Sequence, residues 1–142
     1  RSKKNYFTRN TMIRTFTSPQ QQKGRYAEDI AVKILREMHH VIFTRNTHTR
    51  FGEIDIITCY NNDLYFWEIK SYTRNTEDYE MERISQKKRQ RIMRAIEYIL
   101  SSKKLEKVSY ENICVSALII RFSRNMDGEK YTYTLLEDIN IE

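Results

Sequence analysis

From Arg25 onward, apolar residues recur at three- and four-residue steps. Ala27, Ile30, Ala31, Ile34, Leu35 and Met38 form one stripe, which predicts an amphipathic helix. The stripe stops near His39 and His40, a residue type the dipole favours at a helix C-terminus. Val41 to Thr44 is short and β-branched or aromatic, and reads as a strand. Two further strands, Glu53 to Cys59 and Leu64 to Lys70, are separated by Asn61-Asn62. Asparagine tolerates the positive φ of a tight turn, so these two strands are expected to form one hairpin. A long helix follows, opened by Glu77, Asp78, Glu80 and Glu82, with a stripe of Met81, Ile84, Lys88, Ile92, Ala95, Ile96 and Ile99. Ile113 to Phe122 is a near-continuous apolar run and predicts a buried strand. Tyr131 to Leu136, after a turn at Asp127-Gly128, predicts a last one. The order of helix, three strands, helix, two strands predicts an α/β fold, a mixed β-sheet flanked by helices.

Residues 1–22 show neither period. They carry Arg1, Lys3, Lys4, Arg9 and Arg14 with no acidic residue, and read as a basic flexible arm ahead of one domain spanning 23–142. The same composition fits an organellar transit segment. The tripeptide Thr-Arg-Asn at Thr8, Thr44 and Thr73 recurs at irregular intervals and is no repeat unit.

A length of 142 residues suits a single domain. Three Gly and one Pro lie far below the roughly 12% of average usage, which excludes collagen-like and linker-like classes. The longest uncharged apolar run, Ile113 to Ile120, is short of the ~18 residues of a membrane span, and no apolar signal region opens the chain. A soluble cytoplasmic protein without membrane contact is therefore expected. Cys59 and Cys114 sit in apolar runs without zinc-site spacing, and read as buried reduced thiols. Twenty-five basic residues against nineteen acidic give +6, a balance that favours nucleic acid as partner. The absence of a Gly-rich phosphate loop and of a nucleophile elbow sets aside nucleotide hydrolysis of that type and serine hydrolysis.

If the hairpin turns at Asn61-Asn62, opposed residues have numbers summing to 123. Asp55 then faces Glu68, Glu53 faces Lys70, and all four share one face of the sheet. Two carboxylates held that close repel, and the apolar neighbours Ile54, Ile56, Phe66 and Trp67 add a desolvation cost. A hard divalent cation, Mg²⁺ or Mn²⁺, would offset both, with Lys70 beside it to orient water or balance phosphate charge. The plainer reading of the same residues is a Glu53–Lys70 ion pair and a hydrated Asp55.

The run Gly52-Glu53-Ile54-Asp55-Ile56-Ile57 followed by Leu64-Tyr65-Phe66-Trp67-Glu68-Ile69-Lys70 resembles the signature of the YraN-like predicted endonucleases. These are relatives of archaeal Holliday-junction resolvases in the restriction-endonuclease-like PD-(D/E)xK superfamily. Gly24 to Ala31 is similar to that family's first-helix pattern, Arg45-Asn46 to the pair that follows, and Lys88, Ile92, Ala95 and Leu100 to its second-helix pattern. The resemblance covers about Gly24 to Leu100 and decays beyond. It implies a restriction-endonuclease-like core in which Asp55, Glu68 and the Ile69 carbonyl ligate metal. It further implies that Lys70 is the catalytic lysine and that Glu28 approaches from the first helix.

Lys88 occupies a stripe position where a helix packed on a sheet normally carries an apolar residue. Either its stem packs while its ammonium reaches water, or this part of the helix overlooks Asp55 and Glu68. In the second case it should matter for activity more than for folding. Arg45, Arg50 and His48 form a basic loop before the hairpin, and Lys87 and Arg91 belong to a basic helix face. Arg45, Arg50, Lys87 and Arg91 are candidates for phosphate contact. The leading expectation is a metal-dependent nuclease acting on nucleic acid, DNA first, with structure selectivity and a homodimer both open. The rival is a catalytically silent nucleic-acid-binding module on the same fold. A third option is an interaction protein whose basic helix is only a solvated face.

Overall fold

The computed structural model describes residues 8–13, 20–73, 85–125 and 128–136. Within them the chain runs β1 (Thr8–Ile13), α1 (Gln20–Glu37), β2 (Val41–Thr49), β3 (Gly52–Tyr60), β4 (Asp63–Thr73), α2 (Gln86–Ser101), β5 (Asn112–Asn125) and β6 (Gly128–Leu136). The six strands form one sheet in the order β1-β6-β5-β4-β3-β2. Only β4 and β5 pair in parallel, with α2 between them in sequence, so the sheet is mixed. This is the expected α/β architecture, and it is consistent with a restriction-endonuclease-like core.

Side-chain alternation divides the core into two layers. On one face α1 buries Ala27, Ile30, Ala31, Ile34 and Leu35 against Ile56, Trp67, Leu118, Ile120 and Tyr133. On the other, α2 buries Ile92, Ala95, Ile96 and Ile99 against Ile57, Leu64, Phe66, Ala117 and Ile119. The β3–β4 turn has the predicted conformation, with Asn61 at φ 51° and Asn62 at φ 66°. The ladder has the predicted register too: Ile56 opposes Trp67, Ile57 opposes Phe66 and Tyr60 opposes Asp63.

Four readings of the sequence are revised. Part of the segment expected to be a featureless arm is β1, paired antiparallel with β6 from Thr8↔Thr134 to Ile13↔Glu129. An edge strand is held by backbone pairing and needs no apolar period, so the pattern gave no sign of it. The strand expected to stop at Thr44 continues to Thr49, which places Arg45 and His48 in β2 and leaves Arg50 in a two-residue turn. Strand β2 lies at the other edge of the sheet, where polar residues are tolerated on both faces, so Thr44 to Thr49 reads as loop. Helix α2 begins at Gln86 under an N-cap from Ser85; the acidic cluster at 77–82, with Met81 and Ile84, lies outside the described residues. The strand expected to be buried from Ile113 is 40% exposed there, and full burial begins at Ser116.

Helix α1 ends with His39 at φ 70° and the His40 N–H bonded to the Leu35 carbonyl (2.9 Å). His40 is buried, so a dipole acting on a charged ring does not account for it. Its Nδ1 lies 2.8 Å from the Thr58 hydroxyl, which also accepts from Trp67 Nε1 at 2.9 Å. The rings of Tyr60, Tyr65 and Trp67 surround it. Burial pushes the imidazole down to about 4, so it is neutral at pH 7. Neither Cys59 nor Cys114 is in a disulfide, and both are half-buried. Among the described residues no helix is long and apolar enough to cross a membrane.

Candidate functional site

On β4, alternation turns Leu64 and Phe66 into the layer under α2 and carries Glu68 and Lys70 onto the same face, toward the N-terminal half of that helix. The β3–β4 ladder ends at Ile56↔Trp67, one residue before Asp55 and Glu68 would oppose each other. Beyond that point the Ile69 N–H bonds to Asp55 Oδ2 (2.8 Å). A side chain thus takes the place of a backbone acceptor where the two strands part, and a cleft opens between them and α2. It has a volume of about 330 Å³ and is lined by Gly52, Glu53, Asp55, Glu68, Lys88, Arg91 and Ile92.

The acids of the cleft have unequal partners. Glu68 is buried, and its Oε1 accepts from Lys88 Nζ at 2.5 Å. Lys88 therefore does overlook the carboxylates, because a helix whose Ile92, Ala95 and Ile96 pack on the sheet turns the residue one turn before Ile92 toward Glu68. No basic side chain pairs with Asp55 among the described residues. Burial first, then the charge of Glu68, pushes its carboxyl up to about 7, against the pull of the Ile69 N–H. Glu28 reaches the same place from α1. Oxygen atoms of Glu28, Glu53 and Asp55 all lie within 4.8 Å of one another, and Glu28 Oε1 is buried with no hydrogen-bond partner. Burial, followed by the charge of Lys88, lowers the proton affinity of Lys70.

The expected Glu53–Lys70 ion pair is replaced by a pair between Glu53 and His48, 3.2 Å apart on neighbouring strands. Arg45 is not with the cleft's cations. It bonds Asp29 at 2.8 Å and lies 3.7 Å from Glu28, so it flanks the acid from α1. Arg91 lines the cleft, whereas Lys87 and Arg50 are exposed outside its lining. Sequence reasoning missed Glu53 as a member of the acid cluster. The signal was present, since Glu53 and Asp55 share a strand face, but the supposed Lys70 partner masked it. Gly52 opens β3 at φ +147°, a conformation that disfavours a side chain, although nothing lies within 4 Å of where a Cβ would be.

The donor set suits a hard cation. It offers carboxylate oxygens from two elements, one of them a buried Glu28 oxygen without a hydrogen bond and one on Asp55, which no basic side chain pairs among the described residues. The arrangement can gather positive charge between the acids and present Lys88 and Arg91 to an anion at the mouth.

A model of the uncharacterised protein family UPF0102 matches residues 27–122, a stretch that contains every residue of the cleft. A UPF0102 protein of Campylobacter jejuni is 38% identical over 105 residues, covering 72% of this chain and 91% of the relative. One of Clostridium perfringens is 31% identical over 115 residues, 81% of this chain and 90% of the relative. One of Fusobacterium nucleatum is 34% identical over 95 residues, 67% and 80% respectively.

Proposed function

The chain belongs to the uncharacterised protein family UPF0102, and from the chemistry of its cleft we propose that it is a nuclease that hydrolyses phosphodiester bonds, DNA first, with Mg²⁺ or Mn²⁺ as cofactor. The observation that carries this reading is the acid cluster around Asp55, which no basic side chain pairs among the described residues. Asp55, Glu53 and Glu28 converge from two elements, and the buried Glu28 Oε1 makes no hydrogen bond, with Arg45 3.7 Å away. A fold that needed only to bind nucleic acid would gain nothing from gathering like-charged carboxylates, Asp55 and Glu28 among them half-buried, at that cost.

Asp55, Glu28 and Glu53, with Glu68 lining the same cleft, are the residues that would hold the cation. When bound, it lowers the pKa of a water and offsets charge on the phosphoryl oxygens. Lys88 orients Glu68 through their ion pair. Lys70, on the same face of β4 as Glu68, is suited to orient the attacking water or to balance charge on the phosphate. Arg91, at the cleft wall, is placed to hold a phosphate group in the mouth.

The test is a cleavage assay on duplex, single-stranded, flap and four-way substrates with Mg²⁺, Mn²⁺ or EDTA. Cleavage is expected with metal, lost in EDTA and lost in Asp55→Asn and Lys70→Ala. Binding without cleavage under every metal would instead identify a silent binding module, and cleavage retained in Asp55→Asn would rule out this cleft.

A further inference from the structure

Beside the cleft, the two-residue turn between β2 and β3 leans on α2. The Thr49 hydroxyl clasps that turn, accepting from the N–H groups of Phe51 (3.1 Å) and Gly52 (3.2 Å) and donating to the Gly52 carbonyl (2.7 Å). Phe51 packs on the α2 layer and meets Tyr98 edge to face, with ring centroids 6.2 Å apart. The Arg50 guanidinium lies 4.8 Å above the Phe51 ring. Tyr98 is 43% exposed. An exposed tyrosine is ordinary by itself, but this one continues a cationic stripe. Arg91, Arg94 and Tyr98 follow at three- and four-residue steps on one side of α2, and Arg91 lines the cleft. None of Arg50, Arg91 and Arg94 is ion-paired among the described residues, so their charge is available to an anion.

Aromatic rings set among unpaired arginines on a preformed turn match what an unpaired nucleobase and its backbone require: a π-face for the base and cations for the phosphates. We propose that Tyr98, braced by Phe51 and Arg50, is a base-stacking subsite of this cleft, and that the preferred substrate presents single-stranded nucleotides there. This rests on the nuclease reading and names its substrate class. Seven residues of helix put Tyr98 roughly 10 Å along the axis from Arg91, the scale of a short stretch of strand beyond the cleft. Bases within a continuous duplex are already stacked and cannot offer a face to the ring.

The test measures binding of the full chain in EDTA, where cleavage plays no part, to a single strand and to a blunt duplex of equal length. A 2-aminopurine base in the single strand reports stacking. Tyr98→Leu and Phe51→Leu are expected to weaken single-strand binding at least about fivefold and duplex binding less than about twofold. The 2-aminopurine emission should be quenched by the wild type and not by Tyr98→Leu. Tyr98 is half in solvent, so its variant folds even if Phe51→Leu does not. Equal loss on both nucleic acids, no loss, or no quenching would overturn the proposal, as would a surface that holds only protein partners and no oligonucleotide. Stacking without cleavage under any metal would sink the nuclease reading and leave the subsite standing. Cleavage without quenching would do the reverse.

Discussion

Burial acts in opposite directions on Asp55 and His40. It pushes the carboxyl up to about 7 from an ordinary 3.8 and the imidazole down to about 4 from 6.5. Between pH 4 and 7 the folded chain holds the Asp55 proton that the unfolded chain has released, so this group makes stability fall as pH rises. Between 6.5 and 4 the unfolded chain binds a His40 proton that the folded chain refuses, so this group makes stability fall as pH drops. In metal-free protein the two contributions oppose each other, on the order of 4 kcal/mol for Asp55 and on the order of 3 kcal/mol for His40. Asp55→Asn is expected to leave the His40 slope alone, giving stability that climbs from pH 4 to 6.5, and to exceed the wild type at pH 7. Urea denaturation in EDTA across pH 4–8 checks this, and a profile parallel to the wild type would contradict it. At Lys88 the structure changes the expectation. The sequence suggested a lysine dispensable for folding, yet it pairs with a buried carboxylate. Lys88→Met should therefore lower stability by about 1–2 kcal/mol at pH 7, because Glu68 is left without a partner. Glu68→Gln in the same chain should restore most of that loss. Activity should fall at least about tenfold in Lys88→Met.

At the scale of elements, the start of α2 couples folding to the site. The Ser85 side chain accepts from the Lys88 N–H at 3.2 Å, so the N-cap holds the same residue that clamps Glu68. Ser85→Ala is expected to cost about 1 kcal/mol and, by letting the first turn fray, to reduce cleavage beyond what the stability loss explains. Ser85→Asp, another strong N-cap, should recover both. Thermal melts alongside single-turnover rates distinguish this from a purely local effect, which would leave the rate unchanged. The strands differ in legibility for one reason. Strands β3 and β4 alternate over a buried layer and so declare their faces, register and turn. Strand β1 and the second half of β2 lie at sheet edges, held by backbone bonds that any residue except proline can make.

For the whole molecule, an acid cluster in which Asp55 has no basic partner among the described residues predicts linkage between cation binding and folding. Mn²⁺ is expected to raise the melting temperature of the wild type and not of Asp55→Asn, since a ligand stabilises only the state that binds it. Equal shifts in both proteins would place the metal elsewhere. This measurement needs no substrate and so stands apart from the cleavage assay.

The sequence by itself determined the helix stripes, the Asn61-Asn62 turn and, through it, that Asp55 and Glu68 lie on one face of a hairpin, though the ladder ends before the two would oppose each other. These follow from local periodicity and from the positive φ that asparagine tolerates. Only the tertiary structure decided how the acids are partnered. It set Lys88 on Glu68, His48 on Glu53 and Arg45 on Asp29, left Asp55 without a cation, and brought Glu28 in from the opposite helix. It also placed Tyr98 against Phe51, 47 positions apart in the sequence numbering. Partners of this kind are fixed by how helices lie across the sheet. The period of a chain specifies which face an element buries but not which residues of a distant element it meets there.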